Sequence, residues 1–352
     1  MSDIKTIAFY LPQYHPISEN DKWWGKGFTE WTNTAKAKPL FRGHYQPHVP
    51  ADLGFYDLRL PEARHDQAEL AKEYGLSGFC YYHYWFGGKR ILERPLNAVL
   101  KNKEPDFPFC LCWANQTWTG VWHGAADNIL IEQTYPGKED YEAHFQALLP
   151  AFEDPRYIRI DNRPVFMIYR PTEIPGLPRF VGLWQEMAVK AGLSGLFLVG
   201  VNHNDSWRPD DSGFEASMLQ KLPHKCARVP WKYPVRKIKQ MLQGSNLTIY
   251  EYEEAISSVL RKGDAGYLEY PCVIPNWDNS PRSGLNGLVL HDSTPEKFRK
   301  HLSAAIESVA GRPKDQRIVF IKSWNEWAEG NHLEPDLRHG CAYLEVIRSL
   351  IA

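Results

Sequence analysis

Near the C-terminus the chain reads IKSWNEWAEGNHLEPD, from Ile321 to Asp336. Glu326 and Glu329 stand three residues apart, flanked by Trp324, Asn325 and Trp327 and followed by Glu334. The stretch comes directly after an apolar run that ends at Ile321. Cleaving a glycosidic bond takes one carboxyl to protonate the leaving oxygen and a second on the other side of the anomeric carbon. Retaining enzymes hold the two about 5–5.5 Å apart. On an extended strand Glu326 and Glu329 would face opposite ways. If the chain turns after Asn325 they become neighbours, and Gly330 with no β-run behind Trp327 favours the turn. A helix N-terminus that carries glutamates to suit the helix dipole would show the same spacing.

The elements that must position this pair are legible as short β-rich apolar runs. They are Thr6–Leu11, Gly78–Tyr84, Phe107–Trp113, Val165–Tyr169, Leu196–Val201, Phe214–Leu219, Tyr270–Ile274 and Ile318–Ile321. The runs are continuous rather than alternating, as expected of strands buried on both faces of a parallel sheet. Helical patterns lie between several of them. Pro61–Tyr74 places Leu70, Ala71 and Tyr74 on one face, and Ser293–Glu296 reads as a capping box that opens a helix through Phe298, Leu302, Ile306 and Val309. Strands alternating with helices predict a (β/α)8 TIM barrel, with residues 1–352 as a single domain with long active-site loops.

In such a barrel the catalytic groups stand at the C-terminal strand ends. Reading just past each run gives Gln13, Tyr14 and His15; Tyr84 and Trp85; Ala114, Asn115 and Gln116; Arg170; Asn202 and His203; Asn276, Trp277 and Asp278; and Asn325 and Glu326. Tyr10, His83, Trp113 and Trp118 border the same positions. Past the seventh run, Arg282 joins Trp277 and Asp278. The connection after the first run spans roughly 50 residues without a clear helix, a length that is usually functional. It offers Trp24 and Trp31 as stacking platforms for sugar rings and Glu30 as a third site carboxylate. Of these, Tyr10, Gln13, Tyr14, Trp24, Glu30, Trp31, His83, Tyr84, Trp113, Asn115, Trp118, Asn202, Trp277, Asp278 and Arg282, with Trp324, Asn325, Trp327 and Glu334, form the expected substrate-binding set around catalytic Glu326 and Glu329. Glu334 has the alternative role of neutralising Arg282.

Composition narrows the classes. The 352 residues carry a net charge of -1, so no global field draws the chain to nucleic acid. The chain has 13 Trp, 18 Tyr and 16 Phe, many beside Gly, Pro, Asn and His in loop company, which suits a ligand with flat apolar faces such as a sugar. No run of 18 apolar residues and no leading apolar signal occurs, which predicts a cytoplasmic protein. Cys80, Cys110, Cys112 and Cys272 lie in apolar runs and read as buried thiols rather than a disulfide framework. No metal or other cofactor is expected: Cys110-Leu-Cys112 is not a zinc spacing, and His44 and His48 straddle Gln46-Pro47 as a poor metal pair. No dinucleotide or phosphate-loop fingerprint is present.

Over nearly its whole length the sequence resembles the WbsX-type family of polysaccharide-biosynthesis clusters, described as glycoside hydrolase family 99-like. The stretches that carry the resemblance are FYLPQYHPISENDKWWGKGFTEW, GHYQPHVPADLGFYDLRLPE, GFCYYHYWFGGKR, LCWAN and SWNEWAEGNHLEPD. That family is distantly similar to the family 99 endo-α-mannosidases and mannanases, (β/α)8 barrels that are retaining hydrolases without metal. The resemblance implies that Asn325-Glu326-Trp327-Ala328-Glu329 matches an N-E-W-x-E motif whose two glutamates do the chemistry. Glu326 would take the proton of the sugar 2-hydroxyl, whose oxygen attacks C1 to give a 1,2-anhydro sugar. Glu329 would protonate the leaving oxygen and later activate water. This chain has Ala328 where family 99 has histidine.

The expected function is therefore a retaining glycoside hydrolase or transglycosylase acting on a bacterial polysaccharide or its precursor. A glycosyltransferase of O-antigen or capsule synthesis is the second reading, and a carbohydrate-binding barrel with a dead site the third. Asp210-Asp211 is the nearest approach to a nucleotide-sugar metal motif, and no strand run leads into it. The segment from Lys221 to Lys239 holds seven Lys/Arg and no acid. At about 1 kcal/mol per basic residue near an anionic surface, it would give reversible contact with a membrane or a lipid-linked glycan.

Overall fold

The structure, a computed structural model, describes residues 3–120, 125–203, 207–221, 247–261 and 263–351. Eight strands form its centre. They are β1 (Lys5–Tyr10), β2 (Gly78–Phe86), β3 (Phe109–Trp113) and β4 (Arg163–Ile168). The second half is β5 (Phe197–Asn202), β6 (Ala216–Leu219), β7 (Glu269–Val273) and β8 (Ile318–Ile321). Each pairs in parallel with the next along the chain. Strand β8 returns to β1 in the register Lys5↔Ile318 to Ala8↔Ile321, which closes the barrel.

The closed sheet explains the apolar runs. Inside, Phe9 meets Tyr82 and Phe320 with ring centroids 5.3 and 5.9 Å apart, and Cys80 Sγ lies 3.6 Å from Met167 Sδ. The side chains of alternate residues face the outer helices, so Phe166 packs on Trp184 at 5.1 Å. Trp184 is fully buried, and Trp184→Ala would cost about 3–5 kcal/mol. Cys80, Cys110, Cys112 and Cys272 are buried free thiols.

The outer elements include α1 (Ser18–Trp24), α2 (Glu30–Lys36) and α3 (Pro61–Glu73), all between β1 and β2. Between later strands lie α4 (Arg94–Asn102), α5 (Lys138–Phe152), α6 (Leu177–Lys190), α7 (Tyr252–Ile256) and α8 (Pro295–Val309). Two sequence expectations are corrected. The first long connection does contain helix, because Thr29 and Thr32 close a capping box at the start of α2. Helix α8 is capped by Thr294, whose hydroxyl accepts from Lys297 N, rather than by Ser293, since Pro295 takes the first helical position. No described helix is long and apolar enough to cross a membrane. Of the basic segment from Lys221 to Lys239, residues 222–239 lie outside the described residues.

Candidate active site

The chain leaves β8 at Ile321 and is fixed within a few residues. Ser323 Oγ accepts from Glu326 N at 3.0 Å and donates to Asn331 O at 2.6 Å. The Asn325 side chain braces the other side: its Oδ1 accepts from Leu11 N at 2.7 Å, and its Nδ2 donates to Leu11 O at 3.1 Å. Asn325–Glu326 pairs antiparallel with Asn331–His332, and a tight helical turn, Trp327–Glu329, joins the two. Gly330 ends that turn at φ 55°, and a Cβ there would lie 2.9 Å from Asp278 N and 2.8 Å from Asp278 Cβ. The chain thus turns after Asn325, and both Glu326 and Glu329 line one cavity of about 580 Å³ at the C-terminal mouth of the barrel.

Inside this cavity charge is paired tightly. Lys322 Nζ donates to both oxygens of Glu326, at 3.0 and 2.7 Å, and to Tyr82 OH at 3.0 Å. The same ammonium lies 4.0 Å from Glu329 Oε2, so one cation serves both carboxylates. Arg282 Nη1 donates to Glu329 Oε1 at 2.7 Å, and its Nη2 donates to Glu30. Glu326, Glu329 and Glu30 are all buried. Burial pushes the Glu329 carboxyl up, Arg282 pulls against it, and Glu326 adds to the rise. Burial likewise raises Glu30. For Lys322 burial works downward, but the carboxylates of Glu326 and Glu329 outweigh it and hold the ammonium charged.

Of the residues singled out from sequence, Gln13, Trp24, Glu30, Tyr84, Ala114, Gln116, Trp118, Arg170, Trp277, Arg282, Glu326 and Glu329 come together on the cavity wall. The others do not. His83 alternates with Tyr82 and Tyr84 along β2, so it points outward and pairs with His144 at 2.8 Å. Trp113 also points out, donating to Trp85 O at 3.2 Å. Asn115 is a strut, bonded to the backbone N and O of Arg170 at 2.7 and 2.9 Å. Asn202 is buried and donates to Trp207 O at 3.2 Å. Tyr10 donates to Gln67 at 2.7 Å, and Tyr14 bonds Asn325 O and Trp327 N, both beneath the turn. Trp31 donates to Tyr56 O at 2.8 Å and packs on Trp327; Trp324 is buried against Phe79. Asp278 accepts from His44 and Gln46 at 2.7 and 2.6 Å and is not on the cavity wall. Glu334 reaches neither Arg282 nor the cavity; it accepts from Gln67 and Trp327 at 2.6 Å each and from Tyr56 at 2.9 Å.

Sequence reading missed Lys322, Tyr82, Tyr169, Gln220 and Phe28 as wall residues. Strand parity carried the signal for two of them: Lys322 is in phase with inward Phe320, and Tyr82 is in phase with Tyr84. A second cavity, of about 680 Å³, opens beside α7 and α8 around Leu260, His301 and Arg312. Its carboxylates are Asp264, Glu253 and Glu269, the last two each in an ion pair of its own, with Lys300 and Arg261; the carboxylates that share one cation line the smaller cavity. Among the described residues, one group of three metal-ligating side chains lies behind the turn and outside both cavities, His48, His332 and Asp336.

The chain matches the family model described as "Glycosyltransferase WbsX" over residues 6–347. It is 38% identical over 350 residues to "Uncharacterized protein WxcX" of Xanthomonas campestris pv. campestris (strain B100), covering 98% of this chain and 49% of that protein. It therefore spans about half the length of the curated relatives it matches. Among solved structures, a GH99 endo-alpha-mannosidase from Bacteroides thetaiotaomicron superposes with a TM-score of 0.59 at 14% identity, covering 100% of this chain and 97% of the other. A "Glycoside hydrolase-like protein" superposes at 0.58 with 13% identity, covering 100% and 94%. Likeness at that identity establishes the barrel fold.

Proposed function

The chain belongs to the WbsX glycosyltransferase family, and we propose that it is a carbohydrate-active enzyme that cleaves glycosidic bonds between Glu326 and Glu329. The observation that carries this reading is the contrast between the two carboxyls in one cavity. Burial favours the protonated form of Glu329, which suits a general acid. Glu326 accepts on both oxygens, from Lys322 and Asn331, which fixes the orientation of the second carboxyl in the same cavity.

In the proposed cycle Glu326 takes the proton of the sugar 2-hydroxyl. The freed oxygen attacks C1, the bond to the leaving oxygen breaks, and Glu329 supplies that oxygen's proton. Glu329, now a base, takes a proton from the incoming hydroxyl as it opens the 1,2-anhydro ring, and Glu326 returns its proton to the 2-oxygen. Configuration at C1 is retained, and no step uses a metal. If the incoming hydroxyl is water the outcome is hydrolysis; if it belongs to a second sugar it is transglycosylation. Trp24, Tyr84, Trp118 and Trp277 supply flat faces for the rings. The reading takes residues 1–352 as one catalytic barrel in the cytoplasm, acting on a polysaccharide or its lipid-linked precursor and not on nucleic acid.

A glycosyltransferase is the second reading, favoured by the description of the family. Purified protein offered aryl glycosides and nucleotide sugars separates the two. Release of phenol supports cleavage by the carboxylate pair, whereas release of nucleotide alone rejects it. Sedimentation with anionic vesicles tests the membrane element: a variant carrying Glu at Lys232, Arg236, Lys237 and Lys239 should pellet less than the wild type at low salt. Equal pelleting would remove that element and leave the catalytic reading untouched.

A further inference from the structure

On the side of the turn away from the cavity, two imidazoles and a carboxylate converge from distant parts of the chain. His48 lies in the connection between β1 and β2. His332 sits in the short strand paired with Asn325–Glu326, opposite Asn325. Asp336 follows four residues later. All three side chains are buried, and one ligand atom from each lies within 4.8 Å of the others. His48 Nδ1 is 2.8 Å from His332 Nε2, which in turn is 3.9 Å from Asp336 Oδ2.

The surroundings fix which atoms are offered. His332 Nδ1 is 2.9 Å from Glu334 O. A carbonyl only accepts, so Nδ1 keeps its proton and Nε2 presents a lone pair to His48 and Asp336. Metal-ligating histidines are commonly oriented by such a bond from the other ring nitrogen. The His332 ring is stacked on Trp327 at 3.8 Å and 12°, and His48 is stacked on Tyr45 at 4.2 Å and 22°. Asp336 Oδ1 is occupied by the backbone N–H groups of Arg338 and His339, at 2.8 and 2.7 Å. Oδ2 faces His332, and the Tyr45 hydroxyl bonds the same carboxylate.

We propose that His48, His332 and Asp336 bind one divalent transition-metal ion, zinc by its ligand chemistry, as a clip behind the catalytic turn. Two imidazole nitrogens and one carboxylate oxygen suit zinc, whereas calcium and magnesium take oxygen ligands. With metal–ligand distances of about 2.0–2.2 Å, the two histidines need to part by only about half an ångström from their present contact. His48 also borders a cavity of about 220 Å³, room enough for a water molecule as a fourth ligand. None of the three residues lines the carboxylate cavity, so the ion takes no part in bond cleavage. Its effect is mechanical: it ties the β1–β2 connection to the strand hydrogen-bonded to Asn325 and Glu326.

The test uses full-length protein without a histidine tag, stripped with chelator, dialysed against zinc and then against metal-free buffer. Metal is counted by mass spectrometry, and thermal unfolding is followed with and without zinc. Wild type should retain about one zinc per chain and melt at a higher temperature with it. His48→Gln and Asp336→Asn should each retain a small fraction of that and show no zinc-dependent shift. Cobalt in place of zinc should give visible absorption in the wild type that both variants lose. If either variant fails to fold by circular dichroism, the other carries the comparison, with wild-type stoichiometry as the independent measurement. Wild type without bound zinc would mean that the histidines are a hydrogen-bonded pair only, and equal zinc in all three proteins would place the ion elsewhere. Either result overturns the proposal.

Discussion

The two sides of the turn at Trp327–Glu329 bury carboxylates to a similar depth and partner them differently. On the cavity side, Glu326, Glu329 and Glu30 meet the ammonium of Lys322 and the guanidinium of Arg282. On the other side, the donors to Glu334 among the described residues are neutral, including the hydroxyl of Tyr56, the amide of Gln67 and the indole of Trp327. Glu326 is 5% exposed and Glu334 2%, so depth does not separate them. Partner charge does. With no cation to offset its burial, Glu334 is pushed up to about 7. One side holds charges beside open space, where a substrate can use them; the other holds a carboxyl as a hydrogen-bonding hub beneath the turn.

The largest expected effect breaks the cavity side at its base. Glu326→Gln should lower kcat by about 10⁴-fold while leaving the fold intact by circular dichroism. A substrate lacking the 2-hydroxyl should not be turned over even by the wild type. A trapped glycosyl ester on Glu326 would instead show an ordinary nucleophile.

Removing the shared cation comes next. Lys322→Met strands a buried carboxylate and should cost about 3–5 kcal/mol in urea unfolding. Adding Glu326→Gln removes the stranded charge, so the double variant should regain part of that loss. Strict additivity of the two substitutions would show that the pair is not coupled.

The hub side predicts a pH dependence of opposite origin. The folded-state value of Glu334, about 7, lies above its ordinary value of 4.5. Its proton is thus held more tightly in the folded state, and the stability this gives is complete below pH 4.5 and lost as pH rises through 7. The unfolding free energy of wild type minus that of Glu334→Gln should fall by roughly 3 kcal/mol over that window. A flat difference would mean that Glu334 is paired with a charge after all.

The smallest expected effect falls where the two sides meet. Gly330 adopts φ 55° against the Asp278 backbone, so Gly330→Ala should cost roughly 1–3 kcal/mol, read by thermal unfolding. An unchanged melting temperature would show that the turn tolerates a side chain and does not fix the carboxylates tightly.

The barrel was legible because a parallel sheet covered on both faces writes each strand as one apolar run. All eight runs are strands, with ends that agree to within two residues. The Glu326/Glu329 pair was legible from its spacing and from Gly330. Which neighbours reach the cavity was harder to read. His83 and Tyr84 are adjacent in sequence, yet one faces α5 and the other the cavity, and Lys322, one residue past the eighth run, carries no spacing signal that marks it as the partner of Glu326. Asn115 and Asn325 are polar residues at strand ends, as site residues are, but their amides are spent on backbone groups. Helices α1 and α2 are seven residues each, too short to show a helical period. Glu334 differs from Glu326 only in what the fold places against it.

The central claim is that Glu329 is the proton donor of a glycosidic cleavage, and leaving-group dependence tests it most directly. Glu329→Gln should lose kcat by roughly 10²–10⁴-fold on glycosides with poor leaving groups. On activated aryl glycosides, whose phenolate departs without a proton, much of that loss should vanish. Equal loss on both substrate classes would contradict the assignment.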